Sequence, residues 1–258
     1  MGAIIMTASP ATHSASEARF FFIMACIMGT VSIGGFALMA FMGVSSFARP
    51  WFYHAHAAVF ISWTLLYVAQ NSLVLMGNIP LHRRMGLGAT VLIPLRIEFG
   101  IGLTVMSLQV TGGPPFFRQA EFLVVNILHI GAFALLAIWA LRRRRDTDWH
   151  RRLMFGAMAT VGGPGLARLL PLPMTIPYTF YVVFLAAMIF PIIGMIADSR
   201  IRGSVHPAWR WTLIIPLVAV LAGEALSTLP AIENWTADWV AGTPGGERPA
   251  GPFMPPGM

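Results

Sequence analysis

Apolar residues in this chain come in long unbroken runs, parted by short segments rich in arginine, proline and glycine, without the period-two alternation of a half-buried strand. A helix of about twenty apolar residues crosses a hydrocarbon core of roughly 30 Å, and in lipid only helices and closed barrels satisfy every backbone group. The pattern predicts seven spans, at about 20–44, 50–76, 80–108, 116–141, 149–170, 177–197 and 209–230. The expected fold class is therefore all-α: a polytopic integral membrane protein of about seven transmembrane helices. Pro50 and Pro80 suit a first helical turn, where a missing N–H costs nothing, and Asp146 or Asp148 suits the N-cap of the fifth helix.

Outside the bundle at 20–230, residues 1–19 read as a polar N-terminal segment without the basic start and early apolar run of a signal peptide. Residues 231–258 read as an exposed Pro/Gly-rich tail, too poor in apolar area to offset ordering, and hence mobile or held by a membrane-complex partner. Charge adds orientation. The net charge of +7 comes from arginine alone, and twelve arginines fall on one predicted side of the membrane against three (Arg49, Arg118 and Arg248) on the other. This bias describes topology rather than nucleic-acid binding, and it puts the N-terminus in the cytoplasm and the C-terminus outside. The expected location is a bacterial inner (cytoplasmic) membrane, with the lipid bilayer as partner. Cys26, the single cysteine, excludes an intramolecular disulfide and a thiolate cluster.

The second span has a readable face. His56, Phe60, Trp63, Tyr67, Gln70 and Val74 recur at intervals of four or three, which makes one stripe along a helix. Four of these side chains carry hydrogen-bonding groups that are costly against lipid, so the stripe is expected to face the bundle. His54 lies about 200° around the helix from His56, so the two point to different sides.

Further polar groups fall inside predicted spans: Arg96, Glu98, Asn126, His129, Arg168 and Glu224. Intramembrane ionisable groups are expensive and mark a binding site or pathway by default. The bland alternative is helix-to-helix pairing, Glu98 or Glu224 with Arg96 or Arg168. Pro94 and Pro164 lie close before the two arginines, where kinks free carbonyls.

The segment from Leu81 to Val91, LHRRMGLGATV, is echoed from Trp149 to Val161, WHRRLMFGAMATV. Each opens a span with His-Arg-Arg after a span that itself holds histidine, so 50–108 and 116–170 are a candidate parallel repeat. Histidines on four successive helices are candidate axial ligands of haem b: His82 with His150 on the inner side, and His56 or His54 with His129 on the outer. Counted from the inner span ends, His56 stands roughly 30 Å up and His129 roughly 18 Å up, which is not level. Interfacial anchoring competes as a reading of His82 and His150.

These blocks, H-x-H-x3-F-x2-W-x6-Q-x2-L-V followed by L-H-R-R-x-G, and then W-H-R-R-L-M, resemble a family of small uncharacterised bacterial multi-span membrane proteins over roughly residues 50–170. That resemblance implies a multi-span protein and transfers no catalytic residue. More loosely, the histidine pattern is similar to the transmembrane ascorbate-type cytochromes b, which implies haem on a four-helix core. Two functions follow as expectations: a haem b protein moving electrons across the membrane, or a binding or transport module for a small anionic, quinone-like or lipid ligand. A third is an accessory subunit of a larger complex. No G-x-S-x-G, H-E-x-x-H or P-loop motif points to a hydrolase, and the catalytic residues of any activity stay unknown.

Overall fold

The computed structural model describes residues 10–44 and 48–253, with side chains from Ala15 onward, and the end of the expected tail, 254–258, lies outside the described residues. Regular structure among them is helical: α1 (Pro10–Phe41), α2 (Trp51–Leu75), α3 (Ile79–Thr111), α4 (Gln119–Arg142), α5 (Thr147–Val161), α6 (Gly163–Ala167), α7 (Thr179–Arg202), α8 (Ala208–Ser227) and α9 (Pro230–Val240), with 3₁₀ turns at Leu172–Thr175 and Pro244–Glu247. Six of the helices, α1 to α4, α7 and α8, are long and apolar enough to cross a membrane, the architecture of a multi-pass membrane protein.

Local chemistry sets the helix ends. Asn78 caps α3 by accepting from the Leu81 N–H at 3.2 Å, and Pro80 sits in the first turn. At its other end α3 stops on Gly112, whose φ of 71° is the left-handed conformation that favours glycine. Asp146, not Asp148, caps α5. The expected span at 149–170 is not one helix: α5 has only 15 residues and α6 five. Gly162, Gly163 and Pro164 interrupt the run, since Pro164 has no N–H to return to the carbonyl of Thr160.

One large core joins α1, α2, α3, α4, α5, α7 and α8 through Phe21, Trp63, Ile93, Phe133, Phe155, Phe190 and Trp209. Small residues let the helices approach. Gly156 lies against Thr212 of α8, and Gly194 lies under the Trp209 ring, where any side chain would collide.

Each end of the bundle is closed by polar contacts. At the arginine-rich end Arg152, fully buried, donates to Asp198 from Nε at 2.8 Å and Nη2 at 2.6 Å, and to Glu17 at 3.2 Å. Arg151 pairs with Glu17 at 2.7 Å and with Asp148, and Arg202 pairs with Asp148 at 2.8 Å and Glu17 at 3.4 Å. Asp198 also accepts from the Trp209 indole at 2.8 Å and the His206 N–H at 3.1 Å. Three carboxylates meet three guanidinium groups, so the charges cancel while α1, α5, α7 and the start of α8 are tied together.

At the opposite end the chain after α8 folds back, and the tail expected to be exposed is docked through residue 253. Gln119 donates to the Gly245 carbonyl at 2.8 Å, and the Phe253 N–H to Pro115 at 2.9 Å. Arg248 donates to the carbonyls of Gly113, Pro114 and Phe117 at 2.7, 3.0 and 2.9 Å. The turn between α3 and α4 has carbonyls that no helix can satisfy, and the tail supplies donors for them, while Val240 packs on Leu108 and Leu123 in a small apolar cluster.

Candidate functional site

The α2 stripe faces the bundle as its spacing predicts. Trp63 and Tyr67 are buried, His56, Phe60 and Gln70 are partly buried, and the stripe ends before Val74, which is exposed. Across from it stands Arg96 of α3, 2% exposed. Its guanidinium lies 3.7 Å over the Phe60 ring, with Phe133 of α4 at 5.1 Å and Trp63 at 5.6 Å. One hydrogen bond holds it, from Nη1 to the Phe60 carbonyl at 3.2 Å.

No carboxylate pairs with Arg96 among the described residues, and its Nε–H has no partner. Neither do the Trp63 indole N–H, the Tyr67 hydroxyl or both ends of the Gln70 amide. Buried polar groups are ordinarily satisfied, and a buried lone cation is among the costliest of them. Arg96 Nε and Trp63 Nε1 are donors only, so what would satisfy them is an acceptor or an anion. The three rings lower the cost of the cation without supplying a hydrogen-bond acceptor to Nε.

The other expected ligand residues separate. Glu98 points away from Arg96 and is exposed on the outer face of α3. Asn126 donates to Phe122 of its own helix at 2.6 Å. Arg168 donates to the Pro164 carbonyl at 2.7 Å and lies 3.7 Å over Phe36. Glu224 is near the tail end of α8, 3.8 Å from Arg118. The expected pairing of Glu98 or Glu224 with Arg96 or Arg168 therefore does not form. The acid partners are Glu121, Glu224 and Glu233 around Arg118, at 3.7, 3.8 and 3.1 Å. Neither that cluster nor the Arg152 network was evident in the sequence. The available signal was that Glu17, Asp148 and Asp198 all stand at helix ends on one predicted side.

Backbone carbonyls hold His56, His129 and His150 inside the bundle. His56 Nδ1 meets the Phe99 carbonyl at 3.0 Å, His129 Nε2 meets Thr160 at 2.9 Å, and His150 Nδ1 meets Ala140 at 2.8 Å. A carbonyl only accepts, so each of these nitrogens carries the proton and the other ring nitrogen has a lone pair. The Thr160 carbonyl is the one Pro164 leaves without a helical donor, so His129 repairs the break after α5. His54 lies on another side of α2, with Nε2 3.1 Å from the Arg49 carbonyl.

His82 and His150 come together, ring centres 6.5 Å apart and planes at 83°. Two imidazoles on opposite sides of one metal ion, each bonded at about 2 Å, have ring centres roughly 6 Å apart. His150 Nδ1 is held by Ala140, which leaves Nε2 for such a bond, and His82 Nδ1 has no partner. No ring contact joins His56 to His129 among the described residues. No group of three or more His, Cys, Asp or Glu side chains there has a metal-holding arrangement. No family model, curated protein or solved structure matches this chain.

Proposed function

We propose that this protein is a membrane-embedded binding or transport module for a small anionic or quinone-like ligand, held by Arg96 with Trp63, Tyr67 and Gln70. In this reading the chain makes seven passes of a bacterial inner membrane, α5 and α6 forming one broken pass, with the arginine-rich end in the cytoplasm and the C-terminus outside. The observation that carries it is Arg96: a guanidinium buried among three rings, without a carboxylate, beside other donors that lack partners. A ligand offering an acceptor oxygen or a negative charge satisfies Arg96 and Trp63 together, and Tyr67 and Gln70 extend the contact along α2. The test is thermal unfolding of the purified protein with chloride, benzoate and a short-chain benzoquinone. At least one should raise the melting temperature with increasing concentration, and Arg96→Gln should abolish the rise while leaving the fold intact. Equal stabilisation of wild type and variant would make Arg96 a structural residue.

The contact of His82 with His150 favours a second reading, a haem b protein for electron transfer across the membrane. These two residues would hold the iron, and haem would supply one-electron chemistry. His56 and His129 serve it less well, each anchored to a carbonyl and without a ring contact between them. A reducible Soret band and stoichiometric iron in the purified protein, both lost in His150→Ala, are expected of this reading; a colourless, iron-free preparation ends it.

A further inference from the structure

The buried groups without partners beside Arg96 form a file. The Trp63 indole N–H, the Tyr67 hydroxyl, the Gln70 amide and His82 Nδ1 lead in that order from Arg96 toward the arginine-rich end. The three on α2 are separated by four and three residues, about 6 and 4.5 Å along the axis, gaps that one water or one small ion bridges with a hydrogen bond to each side. The file passes onto α3, because the His82 ring meets the Gln70 backbone carbonyl. α3 turns His82, Gly86, Ala89, Ile93 and Arg96 to one side, at intervals of four and three. Within this stripe Gly86 leaves space: a Cβ added to it would meet no atom within 4 Å.

The other direction is closed. Beyond Arg96 the α2 stripe continues with Phe60 and His56, whose rings stack at 3.9 Å, and His56 is engaged by the Phe99 carbonyl. Buried polar groups without a protein partner ordinarily meet water or a ligand. Here they run one way only, to a surface where Arg83 and Arg84 are exposed. A quinone reaches a membrane-embedded site through lipid and needs no polar route, whereas a hydrated inorganic anion comes from water and does. Arg96 at the blind end repels cations, and Arg83 and Arg84 at the mouth raise the local concentration of anions.

We infer that the ligand of the Arg96 site is a small inorganic anion of the size of chloride or thiocyanate, and that it enters from the arginine-rich side along Gln70 and Tyr67. This rests on the reading of Arg96 as a ligand-binding residue and adds the ligand's class and its side of entry. Cysteine accessibility in sealed vesicles of each orientation tests it, in a Cys26→Ala background because Cys26 is the single cysteine. Tyr67→Cys and Gln70→Cys should react with the anionic, membrane-impermeant reagent methanethiosulfonate ethylsulfonate from the face that labels Arg83→Cys, and not from the other. Scaled to its reaction with a free thiol, that reagent should be roughly tenfold or more faster than its cationic trimethylammonium counterpart. Thiocyanate should slow it. Radiolytic hydroxyl footprinting of the unaltered chain, which marks side chains beside internal water, should oxidise Tyr67 far more than the buried Phe155. Silence at both cysteines together with an unmarked Tyr67 would overturn the inference. So would labelling indifferent to the charge of the reagent, or equally fast at Leu65→Cys on the exposed side of α2. Chloride or thiocyanate stabilising through Arg96 without either label would keep the site and strike the route; a labelled route with no anion stabilising through Arg96 would strike the anion.

Discussion

His82-Arg83-Arg84 opens α3 and His150-Arg151-Arg152 opens α5, and the histidine rings of the two motifs meet at the arginine-rich end. Their arginines part company. Arg83 and Arg84 are exposed, whereas Arg152 is fully buried and Arg151 is mostly covered, both on carboxylates. The tripeptide is the same, and the surroundings differ. α5 is packed by α1 and α7, which bring Glu17 and Asp198; α3 begins after the apolar end of α2, which offers no acid. An arginine at a helix start is thus an anchor in the headgroup region or a buried node, according to which acids the rest of the fold delivers.

Substitution should exaggerate that contrast. Arg152→Ala leaves Asp198 and Glu17 buried and short of their cation, and should destabilise the protein by about 3–5 kcal/mol, read from unfolding in detergent. Asp198→Asn keeps shape and removes the charge that receives Arg152, Trp209 and the His206 N–H, for an expected loss of about 2–3 kcal/mol in the same assay. Should Arg152→Ala unfold no more readily than wild type, the network would be ornamental and the two motifs equivalent.

Acid should weaken only the buried motif. The hydrogen bond from Arg202, with Arg151 and Arg152 nearby, holds the Asp148 carboxyl well below the usual carboxylate range. A folded-state pKa below the unfolded one gives stability that is full above about pH 4 and is lost as pH falls further. The melting temperature should fall below that pH, and Asp148→Asn should flatten the fall. The smallest effect belongs to the exposed motif: Arg84→Ala should change stability by no more than about 0.5 kcal/mol.

Length and hydropathy made six spans legible, and a 3.6-residue period made the inward stripe of α2 legible, because both are properties of consecutive residues. The same helix arithmetic separates Arg96 from Glu98: two residues apart, they stand about 200° around α3 and cannot share a site, as with His54 and His56. The break after α5 was written in Gly162-Gly163-Pro164, although the apolar run read straight through it. The Arg118 cluster was not legible, since Arg118 and Glu224 are brought together by the packing of α4 on α8 and share no local pattern. For the tail, composition misses the packing of Val240 on Leu108 and Leu123, and it is silent on backbone carbonyls waiting elsewhere in the chain.

The seal that Arg248 places on Gly113, Pro114 and Phe117 spans more than 130 positions of sequence. During synthesis the α3–α4 turn is made well before the residue that closes it, since chains are built from the N-terminus. That end of the bundle is therefore finished only after Arg248 has been made. A chain cut short after α8 would carry all six long apolar helices and still leave these three carbonyls without the arginine that closes them.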